Sequence, residues 1–361
     1  MDSSQSSQTP STSSSGEQTP QQQYMQVEQE IAELHEHVRT ALHNNDFENA
    51  LKKAQMSRNI VQDHFGKKHA VYAACTNNIA LAYKEQGDFD NAIEHYEEAI
   101  SLYKDLHGEN HESTGAAVAN AGLLYRRMAE THRGLERTGL LDTSYDYLQR
   151  ALQIRQKVFQ PGSPVIAVTK QHIGGVLRLQ KRFKESEAYI KEAIHVLRKK
   201  PGVEHRAFAT ALNSYGILLK DMERFDDAEQ FYQQALEIRR KLYGEDHPET
   251  IAVEYNISEL AAARGDEQTA FAIQSRIAAR AGEVAEDDRE QEQEQNKEKD
   301  SSHSYTSRAE VEVSSSSSKT AATPVDLYDE QKPNKPKTRS EKKKEKVFSP
   351  GVPLNESIKR S

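Results

Sequence analysis

Apolar positions along this chain recur at two spacings at once. Within Ala74–Glu85, the residues Ile79, Ala80, Ala82 and Tyr83 fall at the three- and four-residue steps that gather side chains on one helix face. Gly87 and Asp88 break that run. A second begins at Phe89 and continues through Ala92, Ile93, Tyr96, Ala99, Ile100 and Tyr103, and Gly108 ends it as a glycine past a helix C-terminus does. The short spacing predicts two helices joined by a tight turn.

The longer spacing predicts that this pair is copied. Leu212–Thr250 shifted back by 42 residues places Phe225 on Phe183, Ala235 on Ala193 and His247 on His205. Asn78, Tyr83, Phe89, Ala92, Tyr96, Ala99, Gly108 and His111 fill the same places further upstream. Asn78 to Asn120 is again 42 residues, but Ala99 to Ala151 is 52, so one unit carries an insertion at about 131–140. Six units follow, at about 28–69, 70–112, 113–164, 165–205, 206–248 and 249–280. The first and last are degenerate, at Val38 and Ser57 and at Glu267 and Ile277.

Small residues recur where helix backbones must approach: Ala80, Gly122, Gly174, Gly216 and Ser258 before the turn, and Ala92, Ser144, Ser186, Ala228 and Ala270 after it. Phe47, Phe89, Leu141, Phe183 and Phe225 form a ladder of larger knobs. No unit can bury its apolar face alone, so neighbours must stack. The predicted fold is all-α, a solenoid of about six helix pairs.

The stretches NNIALAYKEQGDFDNA and AEQFYQQALEIRRKLYG, with the connector EDHPET, resemble tetratricopeptide repeats. The 42-residue length and the G-x-x-H-P connector are similar to the arrays of kinesin light chains and nephrocystin. The resemblance implies a right-handed solenoid whose first helices line a concave groove that binds peptide segments of other proteins. The repeat alone does not fix which partner, because unrelated proteins share it.

Composition changes the picture at both ends. The 361 residues carry a formal charge of -8, are 35% hydrophobic and lack tryptophan, a low apolar share that predicts disorder in part of the chain. Residues 1–24 are a Ser/Gln-rich head with Asp2 and Glu17 its only charges, neither a secretory signal nor an Arg-rich transit peptide. The solenoid is expected over 25–280, with tails disordered on both sides. In the tail, 281–300 holds nine acids against three bases, Ser314–Ser318 follows, and 332–346 holds eight Lys/Arg against Glu341 and Glu345. The basic cluster is read as a solvated tail, with a nuclear-import signal or an acidic-surface contact as alternatives. Thr9, Thr19, Thr323 and Ser349 precede prolines as candidate phosphosites. No apolar run approaches the ~18 residues a spanning helix needs. The single cysteine, Cys75, is read as core packing, and its lack of a disulfide mate suits a reducing, cytoplasmic setting. Neither membrane nor nucleic acid is expected as a partner.

Catalytic chemistry has little support. His69, His111, His205 and His247 recur once per unit, with Ser163 interrupting, but metal ligands must all lie about 2 Å from one ion. Residues one repeat apart are separated by a helix-packing distance on the order of 10 Å. These histidines are therefore read as connector residues that satisfy helix ends. There is no H-E-x-x-H, Gly-rich phosphate loop, G-x-S-x-G or Cys–Cys pair. No enzyme, cofactor or metal is expected.

Two sets of first-helix residues are candidates for binding. Asn78, Asn120, His172, Ser214 and Asn256 share one register. By the light-chain resemblance, amides there bond the backbone of an extended peptide, since they both donate and accept; bonding between neighbouring helices is the alternative. Six residues on, Lys84, Arg126, Arg178 and Lys220 repeat a cation, with Arg127 beside Arg126. Such a stripe would attract acidic peptides, although a cation in a helix's last turn also suits the macrodipole. Ala116 stands where a chaperone-tail carboxylate clamp needs lysine, and the short head shows no heptad seam for a motor chain. The expected function is a non-enzymatic adaptor for extended acidic peptides. The alternative is an assembly factor using the convex face or the 131–140 insertion. The tail segment around Leu327, Tyr328 and Asp329 could occupy the groove in the manner of a tethered acidic peptide.

Overall fold

The computed structural model describes residues 20–280. They lie within one unit of the chain, and residues 329–361, a separate unit, fall outside the described residues. So do the tail segment around Tyr328, the 332–346 cluster and the four Ser/Thr-Pro positions.

Twelve helices and no strand occupy the described residues. The first members of the pairs are α1 (Pro20–His43), α3 (Ala70–Gln86), α5 (Glu112–Thr131), α7 (Pro164–Leu179), α9 (Arg206–Asp221) and α11 (Pro248–Ala263). The second members are α2 (Phe47–Phe65), α4 (Phe89–His107), α6 (Gly134–Val158), α8 (Phe183–Lys199), α10 (Phe225–Tyr243) and α12, residues 267–280. The fold is an all-α solenoid of stacked helix pairs. α1 starts earlier than composition placed the end of the head: Pro20 opens it, and Tyr24 packs edge-on against Phe65 with ring centroids 5.3 Å apart.

The turn inside five of the six pairs, all but α5–α6, has one recipe. Asn45, Gly87, Lys181, Glu223 and Gly265 hold one register and all adopt positive φ, from 58° to 84°. At Gly87 this left-handed residue lets its own N–H reach the Lys84 carbonyl and the Asp88 N–H reach that of Tyr83. Asp46, Asp88 and Asp266 then cap the second helix by accepting from the N–H groups of Asn49, Asn91 and Thr269.

The connectors between units explain the histidines. Nδ1 of His69, His111, His205 and His247 accepts from the backbone N–H two residues on, at 3.3, 3.2, 3.1 and 3.1 Å. Three of the rings also stack on the preceding helix's end, on Phe65, His107 and Tyr243. Ser163 makes no side-chain cap, but Pro164 follows it at the first helical position and has no N–H to satisfy. The histidine ladder caps helices, as its spacing predicted.

Close approach inside the pairs rests on the small residues. A Cβ on Gly122, Gly174 or Gly216 would stand 2.9 Å from Leu148, 2.5 Å from Ile190 or 2.6 Å from Tyr232. Ser144 and Ser186 donate to the carbonyls of Gly122 and Gly174 at 2.6 and 2.7 Å, so the approach is hydrogen-bonded as well as tight. The insertion adds helix rather than loop: α5 and α6 have 20 and 25 residues where α3 and α4 have 17 and 19. Its Leu135 is 92% exposed.

Between units, each second helix packs on the next first helix. First helices also touch one another, α3 with α5, α5 with α7, α7 with α9 and α9 with α11. No two of α2, α4, α6, α8 and α10 meet to a comparable extent. The first-helix side is the tighter side of the stack, and it carries both candidate sets.

Candidate functional site

The first set forms an inter-unit amide ladder. Asn120 Nδ2 donates to Oδ1 of Asn77 at 3.2 Å, and Asn256 Nδ2 donates to Oδ1 of Asn213 at 2.9 Å. Ser214 accepts from Nε2 of Gln171 at 2.9 Å. Each bond joins one first helix to the next, 43 residues along. Asn77, Gln171 and Asn213 were not singled out in the sequence, although the 42-residue shift aligns them. The ladder lacks its bond at two of its five positions, His172 and Asn78. Ala119 holds the place of Asn77, so His172 has no partner across the interface and its buried Nδ1 is unbonded. Oδ1 of the buried Asn78 is likewise without a donor.

In the second set, Lys84, Arg178 and Lys220 stand in the last turn of their helices, whereas Arg126 stands five residues before the end of α5. Lys84 pairs with Glu85 at 2.8 Å, Arg178 with Asp221 at 2.6 Å and Lys220 with Glu259 at 2.5 Å. Arg127, exposed, pairs with Glu130 at 2.9 Å. Arg126 differs from all of these. No carboxylate lies within pairing distance of it among the described residues, and its buried Nε has no acceptor.

The electrostatics show what this leaves uncompensated. Burial, and then the charges of Arg126, Arg155 and Lys84, push His172 down to about 3. Burial also lowers Arg126; Glu130 opposes that, and the charges of Arg178 and Arg127 add to it. The His172 imidazole thus stays neutral, chiefly because it is buried and secondarily because three cations stand near it. Cys75 plays no part there. Its thiol is buried between Ser57 and His35, at 3.3 and 3.2 Å, and burial raises it to about 11. Among the described residues no group of three or more His, Cys, Asp or Glu side chains could hold a metal ion. No described helix is long and apolar enough to cross a membrane.

A stack of paired helices of this kind is a repeat scaffold of the class that serves protein–protein interaction. The tetratricopeptide repeat model matches residues 30–105, 72–133, 134–199 and 207–281, well over half of the chain, and the chain belongs to the tetratricopeptide-repeat family. Solved structures share the fold at low identity. BtubC (BKLC) from P. vanneervenii is 18% identical over 81% of this chain and 99% of its own, with a TM-score of 0.47. A putative kinesin light chain repeat protein from Podospora anserina is 16% identical, covers 59% and 95%, and has a TM-score of 0.46. A Rap protein complexed with Competence and Sporulation Factor is 14% identical over 73% and 79%, with a TM-score of 0.52. No curated protein matches the chain by sequence.

Proposed function

We propose that this scaffold is a non-enzymatic adaptor whose first-helix side takes up extended, acidic peptide segments of partner proteins. The observation that carries the reading is Arg126, which alone in the cation stripe has no carboxylate within pairing distance among the described residues and whose buried Nε has no acceptor. A negatively charged segment laid across it would be attracted from solution and would offset charge that the chain leaves uncompensated. The Rap structure, of like fold, holds a bound factor, which is consistent with such use.

The test uses fluorescein-labelled nine-residue peptide pools, one rich in Asp and Glu and one in Asn and Ser, titrated by anisotropy. The acidic pool should bind more tightly, and its affinity should fall with added salt. Arg126→Glu with Arg127→Glu should abolish the difference; Arg178 is left alone because Asp221 holds it. Equal affinity for the two pools, or an unchanged preference in the double variant, overturns the reading.

Leu135 favours a second reading, an assembly factor. An apolar side chain exposed at the start of an inserted helical extension is suited to a protein contact. Leu135→Asp should then cost partners while acidic-peptide affinity is unchanged.

A further inference from the structure

Arg178 and Lys220 receive their carboxylates from the next first helix. Asp221 stands seven residues after the ladder position Ser214, and Glu259 stands three after Asn256. Unit four has a ladder position too, His172, and so the two places that could serve Arg126 are Leu179 and Gly175. Neither is acidic. Glu130, one turn beyond Arg126, is held by Arg127.

Gly175 does more than omit an acid. Other units carry Leu81, Leu123, Ile217 and Glu259 at its register. Here a Cβ would lie 3.3 Å from Nη1 of Arg126, so the guanidinium rests on bare helix where a side chain would otherwise stand. Gly174, its neighbour, faces Ile190 and serves packing, so the two glycines have separate causes. One turn before Gly175 lies His172 with its unbonded Nδ1. Two departures from the repeat therefore converge on one unpaired cation.

We propose that Arg126 and the bare surface at Gly175 form a carboxylate-binding subsite, where a bound partner supplies the carboxylate that Asp221 and Glu259 supply from within the chain. The proposal rests on the acidic-peptide reading only for the source of that carboxylate. A guanidinium matches a carboxylate with two parallel N–H···O bonds. One open guanidinium among neighbours already paired balances one negative charge, which fits an Asp or Glu side chain better than a phosphate dianion.

Gly175→Glu tests this by placing a carboxylate at the Glu259 register; Gly175→Gln is the control, of equal size and similar helix propensity. Both variants are first checked for helical content and melting. Guanidinium NMR resonances of Arg126, assigned by their loss in Arg126→Gln, are then followed during titration with sodium acetate, against sodium chloride at equal ionic strength. Acetate should shift them saturably in the wild type and in Gly175→Gln but not in Gly175→Glu. Gly175→Glu should also weaken binding of the acidic peptide pool by about tenfold or more relative to Gly175→Gln. An Arg126 signal indifferent to acetate, or identical behaviour of the two variants, overturns the subsite. An acetate response without preference for acidic peptides sustains the subsite and refutes the peptide reading instead.

Discussion

His35 shows how one buried side chain ties stability to pH. Its Nε2 lies 3.2 Å from Cys75 Sγ at the junction of units one and two, and burial, then the charge of Arg39, pushes it from 6.5 to about 4. In the unfolded chain the same imidazole takes up a proton near 6.5. Between those values the unfolded state binds more protons, so stability rises with pH through that window and is lost as pH falls from about 6.5 to about 4. His172, pushed to about 3, acts in the same direction over a wider range. Each contributes a slope of at most about 1.4 kcal/mol per pH unit. Urea unfolding measured between pH 7 and 4.5 should show the wild type weakening, with a shallower slope for His35→Asn. Parallel slopes would refute the assignment. His172 was visible in the sequence as a departure from the asparagine register. His35 was not, because its environment depends on Ser57 and Cys75 meeting across an interface; yet it occupies the register of Asn77, Gln171 and Asn213, and the repeat shift alone could have flagged it.

At the level of helices, adjacent glycines separate packing from surface. Gly174 faces Ile190, where a Cβ would stand at 2.5 Å, and the Ser186 carbonyl at 3.3 Å prevents easy retreat. Gly175 meets only the flexible end of Arg126. Gly174→Ala should therefore cost about 1–3 kcal/mol by overpacking, while Gly175→Ala should stabilise by up to about 1 kcal/mol through helix propensity. Chemical denaturation of the two variants distinguishes them; equal effects would show that the α7–α8 interface adapts. The close approach itself was legible, because a small residue recurs at one place in five of the six units, with Val38 the departure. The turn was only partly so. Gly87 reads as a helix stop, but Lys181 and Glu223 adopt the same left-handed conformation with ordinary side chains, and only their register gives them away. Spacing located the insertion in unit three but could not tell added loop from added helix, since ten residues of either satisfy the same offset. The counter-charges Asp221 and Glu259 were missed for a related reason: a cation stripe can be read along one helix position, whereas its partners sit at two different positions of the following helix.

For the whole array, stability is close to a sum over units and the interfaces between them, so each end must be secured by its own contacts. At the C-terminal end this falls to Glu254 of α11. Its carboxylate is 1% exposed and pairs with Arg240 of α10 at 2.8 Å, with Arg280 of α12, and more distantly with Arg276 at 3.7 Å. Arg280 reaches back to Glu245 and Asp246 in the preceding connector, at 3.7 and 3.6 Å. One buried acid thus joins three successive helices where α12 otherwise shows solvent much of its length, Phe271 included. Replacing Glu254 by Gln leaves several arginines facing one another without their common anion, a loss of about 3–5 kcal/mol for a broken buried pair. In a quasi-one-dimensional stack that loss stays local. Hydrogen exchange on Glu254→Gln should show α11 and α12 losing protection while α3 to α8 keep theirs. A uniform loss across all units would mean that the repeats unfold as a single cooperative block, and the additive picture of the array would fail.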